Sequence, residues 1–137
     1  MRATRGQEGR ARVEHESMAD KDMLGRAGED RAARHLQTLG YRVLDRNWRT
    51  RTGELDLVVA SRDLLVVVEV KTRSGESFGH PLEAVDARKR ARLWRLAVEW
   101  IAAHPHHVQG RRLRIDAIGI IGSDPATGSL EHWQDVA

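Results

Sequence analysis

The segment LLVVVEVK at residues 64–71 is the feature that most limits how this chain can fold. Five apolar residues follow one another without interruption before two charged side chains, Glu69 and Lys71, appear. A nearly continuous apolar run of this length is typical of a central strand that is buried on both faces of a sheet. The pattern therefore predicts an α/β domain with a mixed central sheet flanked by helices, and it places the two charges where a buried strand ends.

Patterns on either side of this strand predict the element order α-β-β-β-α-β. Helical periodicity and strand alternation identify the elements, while glycine, proline and polar clusters mark the turns between them. The predicted elements are a helix from a cap at Asp20 or Asp22 to Gly40, strands at 41–49, 53–60 and 64–71, a helix from Pro81 to about Ala103, and a strand at 112–121 followed by a short tail.

Length and composition limit the class of protein. A chain of 137 residues suggests one domain by the usual prior of ~100–200 residues, and we expect residues 1–20 to form a mobile tail ahead of a single domain at 21–137. The absence of cysteine excludes disulfides, thiolate nucleophiles and Cys-type zinc sites. No apolar run approaches the ~20 residues of a membrane-spanning helix, so we expect no membrane partner and a cytoplasmic location. The net charge of +3 is a modest hint of a polyanionic partner.

One acidic residue of the first helix lies on its apolar stripe. Glu29 is three residues before Ala32 and seven before Leu36, so its carboxylate points inward. The alternative is that Glu29 only complements the helix dipole in an early turn.

A second acidic pair depends on the register of the hairpin between the second and third strands. If Arg62-Asp63 is a two-residue loop, positions summing to 125 pair, and Asp56 lies opposite Glu69. Opposed residues have Cβ atoms ~4.5–5.5 Å apart, which suits two oxygen ligands of a hard divalent cation such as Mg²⁺. Lys71 projects from the same face as Glu69, within reach of the carboxylates or of a water molecule. A loop of odd length would instead put the two carboxylates on opposite faces.

The structural alternative is that Glu69 and Lys71 form a solvated strand end and that Asp56 lies on the outer face of the hairpin. Short motifs match by chance often enough to make this the default for an isolated match. Three observations oppose it here: the apolar run before Glu69, the inward position of Glu29, and a basic stripe on the second helix.

The sequence resembles the PD-(D/E)xK nuclease superfamily at GELD followed by VVVEVKTR, and the predicted element order is similar to its restriction-endonuclease-like core. More narrowly, the blocks GRAGED, GELDLVV, VVVEVKTR, FGHP and RIDAI resemble the bacterial YraN-type family of uncharacterised, predicted endonucleases. The resemblance covers about residues 23–136. Leu55 replaces the signature proline, a position that varies widely in the superfamily.

The resemblance implies a role for each matching residue. Asp56 and Glu69 match the two acidic metal ligands, with the Val70 backbone carbonyl as a further ligand, and Lys71 matches the catalytic lysine. Glu29 resembles the helix-one glutamate that completes the site in archaeal junction resolvases, where it would be a catalytic residue and possible metal ligand. The implied cofactor is Mg²⁺ or Mn²⁺, and junction-cleaving relatives suggest a homodimer.

Basic residues supply candidate phosphate contacts. Lys and Arg contacts to phosphate dominate nucleic-acid affinity, so we predict nucleic-acid contacts at Arg73, Arg88, Lys89, Arg92 and Arg95. The alternatives are a solvated loop position for Arg73, a stem that covers apolar surface for Lys89, and an exposed charged helix face for the three arginines.

Two further features of the sequence leave their roles open. The apolar face of the second helix is predicted around Ala87, Ala91, Trp94, Val98 and Ile101, widened by Leu93, Leu96, Ala97 and Trp100. Asp116 of the last strand could pair with Arg114 or support the acidic site.

The leading hypothesis is a divalent-metal-dependent endonuclease that hydrolyses phosphodiester bonds of DNA, including branched or processed structures. One alternative is a nucleic-acid-binding module of the same fold that does not cleave. The other is a protein-interaction scaffold whose charged clusters are ordinary surface.

Overall fold

Five strands form one mixed sheet in the order β1-β2-β3-β4-β5. A computed structural model describes residues 22–75 and 79–137, so the predicted tail at 1–20 lies outside the described residues. Pairing is antiparallel except between β3 and β4, which run parallel. The strands are β1 (Arg42–Thr50), β2 (Gly53–Ala60), β3 (Leu64–Arg73), β4 (Arg112–Ile121) and β5 (Ser129–Trp133).

One helix covers each face of the sheet, as a strand buried on both faces requires. Helix α1 spans residues 22–38 and helix α2 spans Ala87–Ala103. On the α1 side, Leu36 belongs to the same buried cluster as Val66 and Val68. On the α2 side, Trp100 belongs to a cluster with Leu65 and Val67. The mixed α/β architecture predicted from the 64–71 run is therefore confirmed.

The beginning of α2 differs from the prediction. Pro81 opens a separate 3₁₀ helix, Pro81–Ala84, whereas α2 begins after Asp86, whose Oδ1 accepts a hydrogen bond from the Lys89 backbone N–H at 2.9 Å. Both residues are good helix starters, and the cap three residues before Lys89 decides the boundary. A second 3₁₀ helix, Pro105–His107, follows α2.

The buried face of α2 is rotated relative to the predicted one. Trp94 and Val98 are 43% and 50% exposed, so the predicted central stripe lies on the surface. The residues predicted only at the margin of the apolar face form the core instead. The buried residues of α2 are Leu93, Leu96, Ala97 and Trp100.

The sheet gains an edge strand that the sequence pattern did not indicate. In β5 only Leu130 and His132 are partly buried, so the segment lacks the apolar alternation of an ordinary strand. The chain beyond β5 returns to β4, where the Val136 N–H donates to the Ile115 carbonyl at 2.8 Å.

Across residues 22–75 and 79–137, none of the helices has the length and apolar character needed to cross a membrane.

Candidate active site

The hairpin of β2 and β3 has the predicted register. The Ser61 N–H donates to the Leu64 carbonyl at 2.9 Å, which closes a two-residue loop at Arg62-Asp63. The ladder then pairs Ala60 with Leu65 and continues to Leu57 opposite Val68, each pair summing to 125. The next position in this register brings Asp56 to Glu69.

At that position a side-chain hydrogen bond replaces the backbone pairing between β2 and β3. Asp56 Oδ2 accepts a hydrogen bond from the Val70 N–H at 2.8 Å. The predicted alternation of β2 also fails here, because Leu55 packs on the α2 side with Val58 whereas Leu57 packs on the α1 side. Strict alternation would put Leu55 and Leu57 on one face, so the strand changes its facing at Asp56. The carboxylate thus lies in the gap where β2 leaves β3.

Glu69 is buried at this gap and is paired with a lysine of α2. Glu69 is 5% exposed, and its Oε2 atom lies 3.1 Å from Lys89 Nζ. A buried carboxylate needs such a partner, because an unpaired buried charge is costly. Lys89 therefore reaches the acidic site. The sequence left this contact open, with coverage of apolar surface by the lysine stem as the alternative.

The surroundings of Asp56 strongly perturb its titration. Burial, followed by the negative charge of Glu69, raises the pKa of Asp56 to about 8, and the charge of Glu29 adds to this rise. The hydrogen bond from the Val70 N–H acts in the opposite direction and lowers the pKa. Asp56 consequently holds a proton at neutral pH unless a positive charge compensates the repulsion.

Glu29 approaches the same site from α1, as predicted from its place on the apolar stripe. Its side chain is 14% exposed, and burial raises its pKa, while a hydrogen bond with Asn47 and the charge of Arg46 lower it. Asn47 lies within β1 and has a left-handed backbone, φ 53°. In the described part of the chain Glu29 Oε1 is buried without a hydrogen-bond partner, although Arg46 Nη2 lies 4.0 Å away. Glu29 is thus close enough to Asp56 for its charge to raise the pKa of that carboxyl.

The donor set suits a hard cation. Asp56 and Glu69 contribute carboxylate oxygens, and the Val70 carbonyl points to the same side of β3 as the Val70 N–H that Asp56 accepts. The raised pKa of Asp56 and the orphaned Glu29 oxygen both indicate missing positive charge. Within residues 22–75 and 79–137 no three acidic or histidine side chains are gathered closely enough to hold an ion, so Glu29 stands outside the immediate pair.

Lys71 and Arg73 continue β3 beyond the acidic pair. Both are partly buried, and Lys71 follows Glu69 by two residues on the same face. Arg73 Nη1 donates to the Thr72 carbonyl at 3.2 Å, which leaves its other N–H groups available.

An open cleft of about 410 Å³ lies beside Glu29 and gives solvent access to this residue. This cleft is lined by Asp22, Gly25, Arg26, Glu29, Asn47, Arg49 and Glu54.

The predicted basic stripe is an exposed face of α2, carried by Arg88, Arg92 and Arg95. The stripe and Lys89 belong to one helix, so the exposed positive charge and the lysine at Glu69 have a fixed relation.

A buried polar network joins α1, β4 and β5, and only its first pair, Asp116 and Arg114, was among the contacts that the sequence suggested. Asp116 is fully buried and accepts two hydrogen bonds from Arg114, at 2.8 Å each. It also bonds His132 Nε2 at 2.8 Å, and His132 Nδ1 bonds His35 Nε2 at 3.1 Å. Burial alone would raise the pKa of Asp116, but these donors lower it below its usual value. No spacing signal connects residues 97 positions apart.

Sequence comparisons give the relatives of this chain. A protein of Frankia casuarinae named as a UPF0102 protein is 54% identical over 117 residues, covering 84% of this chain and 96% of the relative. A UPF0102 protein of Frankia alni is 58% identical over 118 residues, covering 85% and 95% respectively. One of Paenarthrobacter aurescens is 47% identical over 119 residues, covering 87% and 97%. Residues 28–120, which include the whole acidic site, match the uncharacterised protein family UPF0102, and the chain therefore belongs to this family.

Proposed function

We propose that this protein is a divalent-metal-dependent nuclease with a restriction-endonuclease-like fold, acting on DNA in the cytoplasm. The observation that carries the proposal is the placement of the Asp56 carboxylate beside that of Glu69 where β2 leaves β3, with the pKa of Asp56 raised to about 8. A bound cation would compensate the repulsion between the two carboxylates. The resemblance to PD-(D/E)xK nucleases, carried by the same residues, supports this assignment.

The metal would be held by Asp56, Glu69 and the Val70 carbonyl. When bound, Mg²⁺ or Mn²⁺ would supply Lewis-acid stabilisation of the scissile phosphate and a lowered pKa for a coordinated water. The protein's own contribution is to keep Asp56 fixed through the Val70 N–H and to keep water away from the buried Glu69. Glu29 adds an acceptor at the side of the pair.

The two lysines have different tasks in this proposal. Lys71, beyond Glu69 on β3, orients the attacking water or stabilises negative charge that develops on the phosphate. Lys89 neutralises Glu69 while the site is empty of substrate and is positioned to exchange this carboxylate for a phosphate oxygen. The arginines of α2, together with Arg73, hold the phosphate backbone without reading bases.

The test is cleavage of linear, single-stranded and branched DNA in millimolar Mg²⁺ or Mn²⁺. We expect cleavage by the wild type and its loss in Asp56→Asn, Glu69→Gln and Lys71→Met. Asp63→Asn, at the exposed hairpin loop, is the matched control and should keep full activity. Retained DNA binding without cleavage of any substrate would overturn the proposal, as would activity that survives the three site variants.

One observation favours a second candidate function, a nucleic-acid-binding module that does not cleave. The Lys89–Glu69 ion pair at 3.1 Å already compensates part of the acidic site without a metal. Binding by the basic stripe predicts a log–log salt slope of about −0.9 for each phosphate contact. Replacing Arg88, Arg92 and Arg95 by glutamine should flatten this slope, whereas Arg62→Gln should not. Affinity that does not fall with salt would instead favour a protein-interaction scaffold.

A further inference from the structure

The Asp116 network ends at His35, a residue that lines a cleft. Ionised Asp116 only accepts hydrogen bonds, so His132 Nε2 carries the proton between them. His132 Nδ1 and His35 Nε2 lie 3.1 Å apart and share one hydrogen bond. When His35 Nε2 carries the proton of this bond, Nδ1 of His35 is an acceptor, and in the described residues it has no hydrogen-bond partner.

The cleft beside His35 is open and has a volume of about 590 Å³. One of its walls is Arg31, whose Nη1 is fixed by the carbonyls of Pro125 and Gly128 at 2.8 and 2.9 Å. The remaining N–H groups of this guanidinium are thus held in place before any ligand arrives, which reduces the entropic cost of binding. The lining residues are Arg31, Arg34, His35, Thr38, Ala126 and Leu130.

This cleft is separate from the acidic site. Successive residues of a helix are rotated by about 100°, so Arg31 lies about 200° around α1 from Glu29. Glu29 faces Asn47 of β1, while Arg31 and His35 face the β4–β5 side. Helix α1 therefore stands between the two features.

The charge of the lining specifies the ligand class. Two arginines, one histidine and one hydroxyl group surround the cleft, and none of the lining residues is acidic. Guanidinium groups bind phosphate oxygens through paired, charge-assisted hydrogen bonds. We propose that this cleft is a second binding site, which takes a phosphate group either as free phosphate or as a terminal phosphate ester of a nucleotide chain.

Binding is coupled to a proton. Burial, then the charges of His132 and Arg31, lower the pKa of His35, so its Nδ1 presents a lone pair at neutral pH. A phosphate oxygen needs a donor there, and His35 becomes one by taking up a proton. The groups that face this imidazole are His132 of β5, with Asp116 behind it, and Arg31 and Arg34 of α1. Asp116 stabilises the added positive charge through His132, and the contribution of His35 to phosphate affinity falls as pH rises.

The experiment uses the full chain carrying Asp56→Asn. This substitution disables the proposed metal site, so the acidic site does not contribute to the measured binding. Calorimetric titrations with inorganic phosphate, a 5′-phosphorylated trinucleotide and its 5′-hydroxyl form are run in two buffers of different ionisation enthalpy. The second ionisation of the phosphate falls in the same pH range, so His35→Gln serves as the reference for the protons that the probe itself exchanges. We expect the wild type to take up more protons than His35→Gln on binding a phosphate-bearing probe, and its advantage in affinity over His35→Gln to be at least about fivefold larger at pH 6 than at pH 8. A preference for the trinucleotide over inorganic phosphate identifies a nucleic-acid end as the source, and equal affinity identifies free phosphate.

Variants separate a built site from diffuse positive charge. Arg34→Gln should weaken phosphate binding about tenfold, whereas Arg62→Gln, which removes the same charge from the exposed hairpin loop, should leave it within twofold. His35→Gln should remove the extra proton uptake while chemical denaturation checks that the fold is kept. Equal losses in the two arginine variants, equal proton uptake by the wild type and His35→Gln, or equal affinity for the 5′-hydroxyl probe would overturn the proposal. None of these results depends on nuclease activity.

Discussion

Replacing Asp56 by asparagine should stabilise the metal-free protein at neutral and alkaline pH. Asparagine keeps an oxygen that can accept the Val70 N–H, so the hydrogen bond at 2.8 Å is retained while the negative charge is removed. The variant therefore isolates the cost of charge at this position.

The size of the effect follows from the pKa. Asp56 titrates near 3.8 in the unfolded chain and at about 8 in the folded protein. Between these values the folded state holds a proton that the unfolded state has released, so stability falls as pH rises through this window. One pKa unit corresponds to about 1.4 kcal/mol, which gives a loss on the order of 4 kcal/mol at pH 7 and 6 kcal/mol above pH 8 as upper bounds. Asp56→Asn lacks this loss.

Urea unfolding at pH 4, 7 and 9, followed by tryptophan fluorescence, measures the difference between wild type and variant. We expect little difference at pH 4 and a growing advantage of Asp56→Asn toward pH 9, with Asp63→Asn as a control that shows no such trend. Millimolar Mn²⁺ should stabilise the wild type at pH 8 but not Asp56→Asn, because a ligand that binds only the folded state adds to stability. A variant that is destabilised equally at all three pH values would refute the electrostatic reasoning.

Other parts of the structure lead to further predictions. Gly28→Ala places a Cβ 2.2 Å from Thr72 Oγ1, so it should cost about 1–3 kcal/mol in urea unfolding, and Thr72→Ala in the same chain should restore part of that loss. Asp116→Ala leaves the partly buried Arg114 without its carboxylate partner and should cost about 3–5 kcal/mol. Since the pKa of Asp116 is lowered in the fold, its stabilising effect is present above pH 3.8 and is lost as pH falls through the folded value, so the variant and wild type should converge in acid. Lys89→Met removes the cation that pairs with Glu69, so it should raise Mn²⁺ affinity while weakening DNA binding. A loss of both would contradict the proposal that Lys89 moves from Glu69 to a phosphate oxygen.

The hairpin that carries the acidic pair could be predicted because two independent constraints agree. The apolar run at 64–71 requires a buried strand, and the two-residue loop at Arg62-Asp63 allows only one register. With the register known, the approach of Asp56 to Glu69 follows from geometry alone. The pattern could not show that the side chains of β2 change faces at Asp56. This change arises because the Asp56 carboxylate takes the Val70 N–H, which would otherwise pair with the β2 backbone.

Helix α2 could not be oriented from its sequence. Apolar residues lie on two adjacent stripes, and the one centred on Trp94 fits helical spacing as well as the one centred on Leu96. The choice is made by contacts with the sheet, where Leu96 and Trp100 belong to one buried cluster with Leu55 and Leu65. Periodicity measures amphipathicity within one element and carries no information about which neighbour will cover it.

The contact between His35 and His132 was beyond prediction for a different reason. The two rings lie 97 residues apart in sequence, and β5 itself has too little apolar character to be recognised as a strand. Edge strands are held by backbone pairing with a neighbour, which leaves their side-chain pattern almost unconstrained.

The hydrogen bond from the Val70 N–H to Asp56 has a consequence for how the family can change during evolution. Selection for folding alone requires an acceptor at this position, which either aspartate or asparagine can provide. Asparagine would even relieve the repulsion from Glu69, so neutral drift in a family that had lost its chemistry should favour it. Relatives that keep aspartate here retain a residue that folding disfavours, and the frequency of asparagine at this one position measures how strongly the charge itself is under selection.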